Sequence, residues 1–192
     1  CVEKFDNSAR IIEDHINILK DTANEFSTFA KLYTEPPVGM DLDQTLHDQV
    51  TRFNNREDIE ITYLGFKFAD FYGPRPQLIR VFVNLLTNAT QAIENERRDY
   101  IEAGKEPKPG RIRVELRQDS ECYEISIEDN GPGVSEENRE KLFTPNFTTK
   151  TGGTGLGLAI CRNIVEKCGG TITYKKSFTL EGACFTVRLP KP

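Results

Sequence analysis

The sequence contains no long apolar run. None of its windows approaches the roughly 18 to 20 consecutive apolar residues of a membrane-spanning helix. Its opening residues, Cys1-Val2-Glu3-Lys4, do not follow the pattern of a secretory signal. We therefore expect a soluble chain and, because no Met begins it, a fragment of a longer protein that meets a membrane only through missing upstream segments.

Basic residues and paired cysteines are also scarce. The 25 Lys and Arg residues are outnumbered by 30 Asp and Glu, which argues against binding nucleic acid through bulk positive charge. The five cysteines form no Cys-x-x-Cys pair and have no neighbouring His, so neither a zinc site nor a disulfide framework is expected. The pattern predicts buried, reduced thiols in the cytoplasm.

Apolar residues alternate at spacings of four and three near the beginning of the chain. They are Phe5, Ala9, Ile12, Ile16, Leu19, Ala23, Phe26, Ala30 and Tyr33. This heptad pattern predicts one long helix over residues 1–33 that needs a helical partner. An amphipathic helix packed on its own domain is the alternative. Two prolines at 36 and 37 end the helix, so we expect a linker at 34–41 and a second domain at 42–192.

The second domain has the pattern of an α+β fold, a mixed sheet with helices on one face. The predicted helices cover residues 41–53, 77–102, 136–142 and 156–167. The predicted strands cover residues 59–63, 111–117, 123–128, 171–176 and 183–189, with a hairpin joining the second and third.

Two asparagines interrupt the apolar face of the longest predicted helix. Asn84 and Asn88 are one turn apart, so hydrogen bonds, a ligand or a metal must satisfy both amides. A carboxamide oxygen suits Mg²⁺, which bridges to nucleotide phosphates. A buried Asn pair bonded to backbone is the alternative.

A carboxylate and two glycines directly follow a predicted strand, in Asp129-Asn130-Gly131-Pro132-Gly133. The carboxylate can accept a hydrogen bond from the exocyclic amine of adenine, and the glycines let backbone approach a flat ring. An ordinary turn is the alternative.

Two further segments follow. In residues 142–150, Phe143 and Phe147 anchor a stretch that ends in Thr148, Thr149 and Lys150, as expected of a lid that closes on phosphates. A glycine run then opens a helix, so backbone N–H groups can face an anion. It contains Gly153, Thr154, Gly155, Leu156 and Gly157. It is neither a Rossmann fingerprint nor a Walker A loop.

In this order and spacing, the four segments resemble the N, G1, F and G2 boxes of the histidine-kinase ATP-binding domain. The wider family includes gyrase-type ATPases and Hsp90, and the resemblance spans residues 77–170. It implies a Bergerat-type ATP-binding α/β sandwich. The long first helix is similar to the second helix of a dimerisation and phosphoacceptor hairpin, with Phe26-Ser27-Thr28-Phe29-Ala30 similar to nitrogen-regulation sensor kinases of bacteria.

The resemblance also implies roles for individual residues. Asn88 would bind Mg²⁺, Asn84 would lie beside the phosphates, and Asp129 would take the adenine amine. Gly131 and Gly133 would shape the adenine pocket. The ATP lid would contain Phe143, Phe147, Thr148, Thr149 and Lys150, and the phosphates would be lined by Gly153, Thr154, Gly155, Leu156 and Gly157. Asn146 departs from the family, in which many members have an aromatic residue.

The family's phosphoacceptor histidine has no match. His15 lacks the acid and proline that follow such a histidine, and His47 is expected at the surface. We therefore expect the acceptor upstream of Cys1, on a helix of the same or a sister subunit.

The function implied is transfer of the γ-phosphate of Mg-ATP to that histidine, for a response regulator. The chain would be the cytoplasmic part of a sensor that forms a homodimer. The whole sensor would be either anchored in a membrane or soluble. The alternatives are an ATP-hydrolysing switch, whose relatives carry a glutamate base where Asn84 stands, and a degenerate nucleotide-sensing module.

Overall fold

The computed structural model describes residues 16, 36–56, 58–149 and 153–191. The predicted helix over 1–33 therefore lies outside the described residues except for Ile16, which is helical and exposed. Among the helices of the described part, none is long and apolar enough to cross a membrane.

The described residues form seven strands and four helices in an α+β order. The strands are β1 (Val38–Asp41), β2 (Ile59–Leu64), β3 (Asp70–Gly73), β4 (Gly110–Gln118), β5 (Cys122–Asp129), β6 (Thr171–Lys176) and β7 (Ala183–Pro190). The helices are α1 (Leu42–Phe53), α2 (Arg75–Glu102), α3 (Glu136–Arg139) and α4 (Gly157–Lys167).

The main sheet has five strands in the order β2-β4-β5-β7-β6. Strand β2 runs parallel to β4, and the other neighbours are antiparallel. Alternate residues of β4 and β5 are buried, and helices α1, α2 and α4 pack against the sheet. The predicted mixed sheet with helices on one face is therefore confirmed.

A two-stranded ribbon of β1 and β3 was not predicted. Val38 pairs with Gly73 and Asp41 with Asp70, so the last four residues of the predicted linker join a strand pair. Strands this short give little alternation from which to recognise them. The domain boundaries at 34–41 themselves stay a prediction.

Helix boundaries follow local chemistry. Asp41 caps α1 by accepting hydrogen bonds from the backbone N–H groups of Asp43 and Gln44 at 3.0 and 3.3 Å. Pro76 lies in the first turn of α2, where its missing N–H does no harm. The predicted helix at 136–142 is regular only to Arg139, because the next backbone bonds connect residues three apart and tighten the chain into turns.

The described cysteines are free thiols. Cys161 and Cys184 are buried as predicted, whereas Cys122 and Cys168 are only half-buried. His47 is exposed on α1, as predicted, and contacts the Tyr63 ring edge-on with centroids 5.2 Å apart.

Helix α2 is the central helix of the fold. Its buried face consists mainly of Leu78, Val81, Phe82, Leu85, Leu86, Ala89 and Ile93. Asn84 and Asn88 lie beside this stripe and are half-buried. Because α2 packs against α4, this flank of α2 borders the first turn of α4.

Candidate functional site

A groove of about 200 Å³ lies between α2 and the beginning of α4. It is lined by Arg80, Val83, Asn84, Thr87, Gly157, Ile160 and Cys161. The structure therefore brings together the asparagine segment and the glycine run, which are far apart in the sequence. None of these described lining residues is a carboxylate.

The Asn84 amide lies against α4. Its Nδ2 donates a hydrogen bond to the Cys161 Sγ at 3.0 Å. A Cβ added to Gly157 would lie 2.8 Å from the Asn84 Oδ1, closer than real Cβ atoms approach. Gly157 is thus a glycine because the Asn84 side chain occupies the adjacent space. The predicted alternative of a backbone-bonded amide does not describe this contact, since the partner is a thiol.

Asp129 ends strand β5 and is only 2% exposed. Its Oδ1 accepts hydrogen bonds from the backbone N–H groups of Gly131 at 3.0 Å and Ala183 at 3.2 Å. Two such donors fix the orientation of the carboxylate and offset part of the cost of burying its charge. The buried carboxylate is therefore held rigidly at the end of the strand.

Two glycines, Gly131 and Gly182, approach this carboxylate, and a third, Gly133, faces the second of them. A Cβ at Gly182 would lie 2.4 Å from the Asp129 carbonyl oxygen and 2.6 Å from its Oδ1. A Cβ added to Gly131 would lie 3.1 Å from the Ala92 Cβ of α2. Gly133 has φ +72 and faces the Gly182 backbone. Sequence reasoning named Gly131 and Gly133 but missed Gly182, whose only signal is its place between a polar turn and a strand.

The turn bond in this segment is made by Asp129, whose Oδ1 accepts from the N–H two residues further on, at Gly131. The side chain of Asn130 bonds instead to residues around the beginning of β4. Its Nδ2 donates to the Pro109 carbonyl at 2.9 Å, and its Oδ1 accepts from the Arg111 N–H at 2.7 Å. Asn130 thus ties the end of β5 to the beginning of β4. The ordinary-turn alternative therefore accounts for the bond from Gly131 to the Asp129 carboxylate, and the bond from Ala183 is a tertiary contact outside the turn.

An aromatic cluster supports the loop after Gly133. The Tyr174 hydroxyl accepts a hydrogen bond from the Val134 N–H at 3.1 Å. The Tyr174 and Phe185 rings are 5.5 Å apart, and Phe143 meets Phe185 edge-on at 6.3 Å. Phe143, a predicted anchor, therefore packs on β7, while Tyr174 and Phe185 had no recognisable signal in the sequence.

The predicted lid contacts the glycine run through backbone. Gly155 has φ +69, and a Cβ there would lie 2.5 Å from the Asn146 carbonyl carbon and 2.7 Å from the Phe147 nitrogen. Asn146 itself has φ 64, a conformation that Asn adopts more readily than most residues. This explains why Asn at this position is compatible with the segment.

The remaining described residues of the lid and the glycine run are exposed or half-buried. Thr148, Thr149 and Gly153 are exposed, and the Thr154 hydroxyl accepts from the Leu156 N–H at 3.4 Å. Phe147 is half-buried, and Leu156 packs beside the hydrophobic core. Lys150 lies outside the described residues.

The arrangement combines two chemistries. A buried carboxylate beside Gly131 and Gly182 suits a flat ring that carries an amine, as adenine does. A carboxamide beside the glycine-rich beginning of a helix suits phosphate or a hard cation. Together they suit the two ends of a nucleotide.

Comparison with known proteins gives consistent matches. A family model described as histidine kinase-, DNA gyrase B- and HSP90-like ATPase matches residues 73–192. The sensor histidine kinase ZraS of Escherichia coli O157:H7 is 41% identical over 114 residues, which are 59% of this chain and 22% of ZraS. This chain therefore spans about a fifth of that relative's length.

Solved structures agree with the fold. The catalytic domain of the histidine kinase ThkA superimposes with a TM-score of 0.68 at 28% identity, over 81% of this chain and 95% of that domain. ThkA in complex with the response regulator TrrA superimposes with a TM-score of 0.69 at 24% identity, over 92% of this chain and 49% of the ThkA chain.

Proposed function

We propose that this chain delivers the γ-phosphate of ATP to a histidine. The chain belongs to the histidine kinase-, DNA gyrase B- and HSP90-like ATPase family and is the ATP-binding catalytic portion of a sensor histidine kinase. The observation that carries this proposal is the groove between α2 and α4. In this groove the amide of Asn84 lies beside Gly157, and none of the described lining residues is a carboxylate.

Hydrolysis and transfer to a histidine place different demands on the site. Hydrolysis needs a base that can take a proton from water, and an amide cannot accept that proton. Phosphoryl transfer to a histidine nitrogen needs mainly positioning and neutralisation of charge. An amide at the groove therefore supports a kinase rather than an ATP-hydrolysing switch.

Asp129 would recognise the adenine. Its Oδ1 accepts from the N–H groups of Gly131 and Ala183. In this proposal the other carboxylate oxygen would accept from the exocyclic amine. Gly131, Gly133 and Gly182 would let the backbone approach the ring face.

The residues around the groove also fit Mg²⁺. The carboxamide oxygens of Asn84 and Asn88 are the uncharged hard donors that Mg²⁺ accepts, and we assign Asn88 as its ligand. When bound, the cation would neutralise charge on the phosphates. Thr148, Thr149 and Lys150 would close over the phosphates, and Gly153, Thr154, Gly155, Leu156 and Gly157 would supply backbone N–H groups to them.

The partners follow from this chemistry. The phosphate would go to a histidine on a helix of the same or a sister subunit, and from there to a response regulator. ThkA, a histidine kinase of similar fold, forms a complex with the response regulator TrrA, which supports a response regulator as partner. The predicted helix at 1–33 would contribute to a homodimer, because its heptad pattern needs a helical partner.

Phosphate release tests the proposal directly. Calorimetry with saturating Mg-ATP establishes that the sites are occupied, and a phosphate assay on the same sample measures hydrolysis. We expect full occupancy with negligible release, because none of the described residues that line the groove is a carboxylate that could activate water. Steady release that is lost in Asn84→Ala would instead assign hydrolysis to this site.

Asn88→Ala is expected to weaken ATP binding about tenfold in the presence of Mg²⁺, because a ligand of the cation is lost. The melting temperature should change little, since Asn88 lies beside rather than within the buried stripe of α2. Calorimetry with Mg²⁺ and with EDTA checks this. Equal Mg-ATP affinity in the variant and the unaltered chain would remove Asn88 from the cation site.

A further inference from the structure

Cys161 lies on the α4 side of the groove, one turn after Gly157, and is 1% exposed. Its sulfur is involved in two contacts with α2. It accepts a hydrogen bond from the Asn84 Nδ2 at 3.0 Å, and its thiol donates to the Val81 carbonyl oxygen at 4.0 Å.

The geometry shows the thiol acting as both donor and acceptor, since it donates to the Val81 carbonyl oxygen and accepts from the Asn84 Nδ2. Burial raises the pKa of the Cys161 thiol to about 11, although the hydrogen bond from Asn84 and the charge of Arg80 act in the opposite direction. The thiol therefore keeps one proton to donate to Val81 and keeps its lone pairs for Asn84. Sulfur acts here as donor and acceptor at once.

This pair of contacts favours one of the two orientations of the Asn84 amide. With Nδ2 towards sulfur, both contacts are made. If the amide turned over, its oxygen would face sulfur, and the thiol proton would have to leave Val81 to satisfy it. The arrangement in the structure thus makes two hydrogen bonds through sulfur, whereas the reversed one makes a single bond.

Gly157 packs against the whole amide. A Cβ of Gly157 would lie 2.8 Å from the Asn84 Oδ1 and 2.9 Å from its Nδ2. The amide is therefore in contact with both Gly157 and Cys161, two residues one turn apart on α4, and the bond to sulfur is what distinguishes its two ends. Its oxygen lies beside the residue where the helix begins.

We infer that Cys161 is a positioning residue: its thiol holds the Nδ2 of Asn84, so that the Asn84 oxygen is presented at the beginning of α4. This deepens the proposed function, on which it rests. An oxygen at that point suits a hard cation or the water bound to it. The thiol itself does not touch the nucleotide but acts through Asn84.

Two substitutions separate hydrogen bonding from packing. Cys161→Val keeps a similar apolar volume and removes both the acceptor for Asn84 and the donor to Val81, whereas Cys161→Ser keeps both. We expect Cys161→Val to lower Mg-ATP affinity about five- to tenfold in calorimetry, as for one lost hydrogen bond, and Cys161→Ser to stay within about twofold. In EDTA the two variants should bind ATP alike. Cys161→Ala replaces the Val variant if the branched side chain prevents folding.

A double-mutant cycle tests whether Cys161 acts through Asn84. In an Asn84→Ala background, Cys161→Val should cause no further loss, because the amide that it positions is gone. A loss that persists in that background would overturn the inference, as would a Cys161→Ser variant as weak as Cys161→Val. Equal affinity of Cys161→Val and the unaltered chain would overturn it as well.

Nuclear magnetic resonance of the nucleotide-free chain keeps this inference separable from the proposed function. The two side-chain N–H resonances of Asn84 should move towards the values of a free amide in Cys161→Val and remain in place in Cys161→Ser. Unmoved resonances in the Val variant would refute the positioning role. If the unaltered chain fails to bind Mg-ATP, the proposed function fails, and the resonances still decide the role of Cys161.

Discussion

Asp129→Asn is expected to weaken ATP binding about 100-fold, because the amide cannot satisfy both sides of the site. The Asp129 Oδ1 accepts from the N–H groups of Gly131 and Ala183. We assign the other oxygen to the adenine amine, so these three partners are all donors. An asparagine has one oxygen and one NH₂ group. Whichever way it turns, the NH₂ group meets another donor.

The same reasoning predicts a change of base preference. The asparagine keeps both backbone bonds if its oxygen faces Gly131 and Ala183, and its NH₂ group then faces the base. A donor there matches the 6-oxo group of GTP better than the 6-amino group of ATP. The ratio of ATP to GTP affinity should therefore fall in Asp129→Asn, by more than in any variant that only loosens the pocket.

Titration calorimetry with ATP and GTP measures both effects, and Glu128→Gln is the matched control. It removes the same charge one residue earlier, on the opposite face of β5, where Glu128 accepts a hydrogen bond from Ser177 at 2.6 Å. The control should retain ATP affinity. If Asp129→Asn binds ATP as tightly as the unaltered chain, Asp129 is not the adenine acceptor, and a degenerate sensing module becomes the better description.

The fold of residues 42–192 was largely predictable because its helices and strands are locally consistent. Asp41 caps α1 and Pro76 opens α2, as their side-chain chemistry predicts. Alternation in β4 and β5 identified their buried face. Strands β1 and β3 were missed because each has four residues and is defined by its partner rather than by its own pattern.

The site was predictable where a residue type is unusual in its surroundings. Asn84 on an apolar helix and Asp129 after a strand stand out in this way. Gly182, Tyr174 and Cys161 do not, because a glycine near a turn, a tyrosine in a strand and a cysteine in a helix are all ordinary. Their roles arise from contacts with Asp129, Val134 and Asn84 that only the tertiary structure brings about.

Gly182→Ala is expected to lower the free energy of unfolding by about 2 to 3 kcal/mol, because the added methyl has no space. Its Cβ would lie 2.4 Å from the Asp129 carbonyl oxygen, 2.6 Å from the Asp129 Oδ1 and 2.7 Å from the Gly131 carbonyl oxygen. Two of these atoms are backbone, and the third is held by two backbone N–H groups, so none can move cheaply. The melting temperature should fall by about 5 to 10 °C in a thermal scan.

Gly39→Ala is the matched control for this substitution, since nothing lies within 4 Å of a Cβ at that position in β1. It should leave the melting temperature within about 2 °C, as expected for a surface substitution. Equal melting temperatures for the two variants would contradict the close approach of Gly182 to Asp129.

Affinity then separates a local from a global effect of Gly182→Ala. Far below the melting temperature nearly all molecules are folded, so a loss of global stability alone would leave ATP affinity unchanged. A methyl that displaces the Asp129 carboxylate should instead reduce ATP affinity about tenfold or more in the folded protein. Unchanged affinity in calorimetry at low temperature would mean that the added methyl displaces the backbone of β7 and not the Asp129 carboxylate. Gly182 would then contribute to stability alone.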